Sequence, residues 1–123
     1  MKAEFITAFE DYCGSHAADC RSRKGELLAD SRADEASFEQ IKGNIYELFG
    51  TVLSAAVKNC GTDADVSSFF QAKAEQITAA WRESQSAANA HGDITKAHIE
   101  VLKLETAEEI RSVFEKLWRE YND

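Results

Sequence analysis

The chain has 123 residues, a formal net charge of −8 and 44% hydrophobic residues. That length suits one domain spanning 1–123 with a core that needs no metal or disulfide staple, and the apolar share excludes a disordered polymer. No proline and only six glycines exclude a turn-rich all-β fold. The acidity is spread along the chain, which excludes the basic footprint that duplex nucleic acid or an anionic membrane surface demands.

The first segment places Phe5, Phe9, Tyr12, His16 and Cys20 at spacings of three and four, and Leu27 rejoins the line. This is the rhythm of one helix face and predicts a helix over 2–30. Arg23, Lys24 and Gly25 interrupt the line, so a break near Gly25 is the alternative to a single long rod. Ser31-Arg32-Ala33-Asp34 predicts a turn, with Ser31 or Asp34 as the N-cap of the next helix.

The second helix carries Phe38, Ile41, Ile45, Leu48, Val52 and Ala56, with Tyr46, Phe49, Leu53 and Val57 on a parallel line. So wide an apolar arc predicts a helix that touches two neighbours. Gly43 and Gly50 lie seven apart on one face. Each costs about 1 kcal/mol against alanine inside a helix. Either another backbone comes close there, or the two glycines are merely tolerated.

Cys60-Gly61-Thr62-Asp63-Ala64-Asp65 marks a boundary, with Gly61 expected in the left-handed C′ position and Thr62 with Asp65 resembling a capping box. The third helix is expected to turn Val66, Phe70, Lys73, Ile77, Ala80, Ser84, Ala87 and His91 inward, bulky in its first half and thin in its second. Gly92 as C′ and Asp93 as N-cap lead into the last helix. That helix carries Ile94, Ala97, Val101, Leu104, Ile110, Val113, Phe114, Leu117, Trp118 and Tyr121. Its stripe shifts phase at Leu104-Glu105-Thr106-Ala107, where Thr106 and Glu109 repeat the capping-box pattern. A kink near Leu104–Thr106, or a separate helix over 106–122, would follow from that shift; a continuous or mildly kinked helix is the expectation. Rods of about 25 residues joined by short turns give an all-α, antiparallel up-down four-helix bundle.

Few side-chain groups could carry chemistry. Cys13, His16 and Cys20 fall at i, i+3 and i+7, on one helical face, and thiolate and imidazole are zinc ligands. Structural zinc needs a fourth ligand. The antiparallel order sets His98 and His91 too far up the bundle to supply it, and Cys60 at the opposite end. A core stripe in which cysteine acts as a small hydrophobe is therefore preferred. The residues three before His16, His91 and His98 are Cys13, Ala88 and Thr95, so the Glu-x-x-His pattern of a di-iron carboxylate bundle is missing. No Gly-x-Ser-x-Gly elbow or glycine-rich phosphate loop occurs, and a Cys20–His16 dyad lacks an orienting group. The thin half of the third helix, with His91 and His98 nearby, could line a small-ligand pocket, although close helix packing is the simpler use of small residues.

These features lead to a non-enzymatic helical module for protein–protein interaction, with another protein or a second copy of itself (a homodimer) as partner, and with no cofactor, nucleic acid or membrane. The alternative is a small-ligand or metal-binding bundle using Cys13, His16 and Cys20, or His91 with His98. Three cysteines cannot all pair, and Cys13 and Cys20 on one helix lie about 10.5 Å apart, beyond disulfide reach. Three reduced thiols, and a start without an apolar signal core, point to the cytoplasm.

Overall fold

The computed structural model describes residues 3–122. They form four helices: α1 over Ala3–Ala29, α2 over Ala33–Asn59, α3 over Asp63–Ala90 and α4 over Ile94–Asn122. No strand occurs among the described residues. Three-residue connections force each helix antiparallel to the one before it. The predicted start of the first helix at residue 2 lies outside the described residues; its body runs unbroken through Gly25. The last helix likewise runs unbroken through Leu104–Thr106. Thr106 does not cap a new helix there, because its hydroxyl donates back to the Leu102 carbonyl at 2.8 Å.

α2 packs against all three other helices, one more than its apolar arc suggested. Its backbone approaches α4 as well as α1 and α3, whereas α1 and α3 meet only through side chains such as Phe9 and Phe70. The bundle is therefore a rhombus in section, with α2 and α4 on its short diagonal.

The α1/α2 seam explains the paired glycines. A Cβ placed at Gly43 would sit 3.3 Å from Cys20 Cβ, and one at Gly50 would sit 3.6 Å from Cys13 Cβ. Two small thiol side chains, seven apart on α1, thus rest on two glycines seven apart on α2. The seam is closed by backbone proximity, and this offsets the helix-propensity penalty of glycine.

The core is concentrated at one end. Phe5 and Phe9 of α1, Phe49 and Leu53 of α2, Val66 and Phe70 of α3, and Ile110 and Phe114 of α4 are fully buried together. The other half buries mainly small or polar groups: Ala36, Thr78, Ala88, Ala97, Glu100 and Thr106. Two expected stripes need correction. On α3 the buried line is Val66, Phe70, Ala74, Thr78 and Ala88, whereas Lys73, Ala80 and Ala87 are exposed. On α4 it is Ala97, Glu100, Ala107, Ile110 and Phe114, and Ile94 is 83% exposed. A run of steps of four lets an α3 stripe drift around the helix, and a glutamate at a core position of α4 makes a straight stripe look broken.

The turns follow the expected chemistry only in part. Gly92 is left-handed at φ 73, and the bonds Asp93 N–H to Ala88 and Gly92 N–H to Asn89 close a Schellman motif. Asp93 then caps α4 by accepting from Lys96 N–H at 3.0 Å. Thr62 caps α3 by accepting from Asp65 N–H. Gly61 is not left-handed, because α2 ends through an extended Cys60 at φ −117. Neither Ser31 nor Asp34 caps α2. Arg32 stands at the cap position without a side-chain bond and pairs instead with Glu35. Ser31 is consumed in ending α1: it is left-handed at φ 60 and closes its own Schellman motif through Arg32 N–H to Leu27. A Cβ in that region costs on the order of 1 kcal/mol. Ser31→Gly is expected to raise the unfolding free energy by about 0.5–1 kcal/mol, read from the urea midpoint.

Candidate functional site

Three polar clusters lie outside the aromatic core. The largest surrounds a groove of about 560 Å³ along the α3/α4 face. Gln71, Thr78, Arg82 and Gln85 line it from α3, and Leu104, Glu108, Arg111, Ser112 and Glu115 from α4. Both sets follow helical three–four spacing, so each wall is one continuous face. Long polar side chains line this groove, in contrast to the glycine–thiol contact that closes α1 on α2.

Arg111 is fixed in the groove by three acceptors. Its Nη1 donates to Glu75 Oε2 at 3.0 Å and to Thr78 Oγ1 at 3.5 Å, and its Nη2 donates to Gln71 Oε1 at 3.4 Å. Arg82 Nη2 donates to the other oxygen of Glu75 at 2.6 Å. Arg111 first and then Arg82 hold the Glu75 carboxyl below its usual range. Glu108 and Glu115 flank Arg111 on α4 and, among the described residues, form no ion pair.

A second cluster joins three helices on the other side of the bundle. Tyr12 of α1 donates to Glu109 Oε2 of α4 at 2.9 Å, and the buried Tyr46 of α2 donates to the same oxygen. His16 stacks on Tyr46 with centroids 5.0 Å apart and lies 4.5 Å from Tyr12. The Tyr46 bond, with that of Tyr12, drives the Glu109 carboxyl below its usual range against the opposing effect of burial. Burial and the Glu109 bond raise both phenols well above 10.0. The signs fix two pH windows. The carboxylate titrates lower folded than unfolded, so its contribution is present above the ordinary value of 4.5 and is lost as pH falls through the depressed one. The phenols titrate higher folded, so theirs is present below 10.0 and is lost as pH rises toward the raised values. Tyr46→Phe is expected to cost about 1.5 kcal/mol near neutral pH. It should also flatten the loss of stability above about pH 10, measured by urea unfolding at a series of pH values.

The third cluster is a core ion pair. Glu100 is 5% exposed. Its Oε1 accepts from Lys103 Nζ at 3.0 Å, while its buried Oε2 has no hydrogen-bond partner. Lys103 Nζ also lies 4.8 Å from the centre of the Trp81 ring.

The residues singled out as metal candidates do not converge. Cys13 and Cys20 are buried on Gly50 and Gly43, whereas His16 stacks on the tyrosines at the α1/α2/α4 junction. Burial pushes the Cys13 thiol up to about 12 and also raises Cys20, which disfavours the thiolate that zinc needs. Among the described residues, no group of three or more His, Cys, Asp or Glu side chains is arranged to hold a metal ion. His91 is exposed at the end of α3, and His98 packs edge-on against Phe38 of α2. Neither histidine lines the groove. Sequence reasoning missed Arg82, Arg111, Glu100 and the Tyr12–Tyr46–Glu109 knot. The one available signal was Glu75 and Arg82 seven apart on one face of α3, and their meeting with Arg111 emerges only once the α3/α4 register is known.

No helix among the described residues is long and apolar enough to cross a membrane. Compared with known proteins, the chain matches no family model, and no curated protein or solved structure shows significant similarity to it.

Proposed function

We propose that the chain is a non-enzymatic helical interaction module that binds a partner protein on its α3/α4 face. The observation that carries this is the open groove of about 560 Å³ between two helices whose facing walls are long and polar. The aromatic core does not use that face. An open trough between antiparallel helices suits an added helix better than a small molecule, which calls for a concave site that encloses most of its surface.

The partner is another protein in preference to a second copy. Large exposed apolar side chains among the described residues are Leu28 and Ile94, both at the bundle end opposite the aromatic core. That is too little to form the apolar heart of a typical homodimer interface. Two copies at −8 each also repel. Three unpaired thiols suit the reducing cytoplasm.

Site-specific photo-crosslinking in cells tests the proposal. A benzophenone side chain at Gln85 or Ser112 is expected to give discrete adducts, whereas one at Ser54, on the α1/α2 face, gives none. Equal yields on both faces, or none from the groove, would overturn it. An adduct of twice the 13.7 kDa chain mass would identify a second copy as the partner instead.

A further inference from the structure

We infer that the α3/α4 groove takes a partner helix carrying one acidic residue flanked by two basic ones, the acid docking on Arg82 and Arg111. The inference rests on the α3/α4 face being the partner surface and adds the chemistry of the occupant. Two guanidinium groups here share a single carboxylate, that of Glu75. Glu75, Arg82 and Arg111 together carry one net positive charge, set between the carboxylates of Glu108 and Glu115, so the groove as a whole is not positive. Arg111 is already oriented by Gln71, Glu75 and Thr78, so little side-chain entropy remains to be lost when it binds. Arg82 is half-exposed and, among the described residues, makes one hydrogen bond, to Glu75. A guanidinium has five N–H donors, so Arg82 can accept a second carboxylate without releasing the first.

The α4 wall adds the selectivity. Glu108, Arg111 and Glu115 form a minus–plus–minus row on one helical face, with the two glutamates about 10.5 Å apart. A helix laid antiparallel against that row matches it with Lys-x3-Glu-x2-Lys, each charge facing its opposite. A free anion such as phosphate would gain the arginines but meet the two glutamates, and nucleic acid would meet the same repulsion. The row is therefore built to read a pattern rather than a single charge.

Amide chemical-shift mapping of the full chain tests this, with a roughly 20-residue alanine-based helical peptide carrying Lys-x3-Glu-x2-Lys as the probe. The expected shifts cluster on residues 71–85 and 104–115. Replacing the peptide glutamate by glutamine should weaken binding about tenfold or more, a difference of about 1.4 kcal/mol. Arg111→Gln should do the same, and Arg82→Gln, on the exposed rim, gives the same readout with less risk to the fold. Equal binding of both peptides, shifts centred on another face, or no shifts at all would overturn the inference. If the probe fails while Gln85 still yields crosslinks, the charge pattern is wrong and the partner face stands. If the crosslinks fail, the face itself is wrong.

Discussion

Glu100→Met is expected to leave the unfolding free energy close to or above that of the parent, and Lys103→Met to lower it by about 3–5 kcal/mol. The contrast arises from one geometry. Glu100 occupies a core position on α4, in line with Ala97, Ala107, Ile110 and Phe114. Its carboxylate has given up water for one bond to Lys103, and its second oxygen has no partner. Desolvating a charge costs several kcal/mol, and a single ion pair does not recover all of it. Methionine fills a similar volume without that penalty, and Lys103 keeps its place over the Trp81 ring. Removing Lys103 instead leaves the buried carboxylate with no counter-charge. The double variant should fall near or above the parent chain. Urea unfolding of the three variants decides the matter. A loss of stability in Glu100→Met equal to that in Lys103→Met would mean that the carboxylate is fully solvated or bonded in the native protein.

Phe114→Ala is expected to cost about 3–5 kcal/mol, as is Phe70→Ala. The two rings stack with centroids 3.8 Å apart, and Phe9 lies edge-on to both at 5.4 Å. All three are fully buried. Truncating either ring leaves a cavity bounded by the others, because rigid helices close on it only in part. For a domain with total stability of about 5–15 kcal/mol, one such change removes a large share. Ala88→Gly, at the small-residue end of α3, should cost only about 1 kcal/mol. The contrast, read from the same urea melts, measures how unevenly stability is distributed along the bundle.

That unevenness also explains what could be read in the chain. The helices, their turns at 30–32, 60–62 and 91–93, and the antiparallel order follow from apolar spacing and from Gly92, Asp93 and Thr62. The close approach at Gly43 and Gly50 was one of two options that spacing allowed; the structure supplies the partners, Cys20 and Cys13. Glu100 escaped notice because a charged residue at a core position breaks the hydrophobic pattern that reveals such positions. Its presence made the α4 stripe look shifted at Leu104–Thr106. Ser31 looked like a cap because serine favours N-cap positions, and only its left-handed backbone assigns it to the end of α1. The thin second half of α3 allowed a pocket, but the polar lining of the groove was not legible. Gln71, Arg82, Glu108 and Arg111 are ordinary surface residues until α3 and α4 are aligned, and helix alignment depends on long-range packing rather than local pattern.

The separation of a stabilising core from a free recognition face meets its most direct test in the crosslink yield at Gln85 of a chain carrying Arg82→Gln and Glu108→Gln. Both changes lie on the groove rim, so the unfolding midpoint should match that of the parent within about 0.5 kcal/mol, while the partner adduct disappears. An adduct that forms with undiminished yield in this folded variant would contradict the assignment of the α3/α4 face.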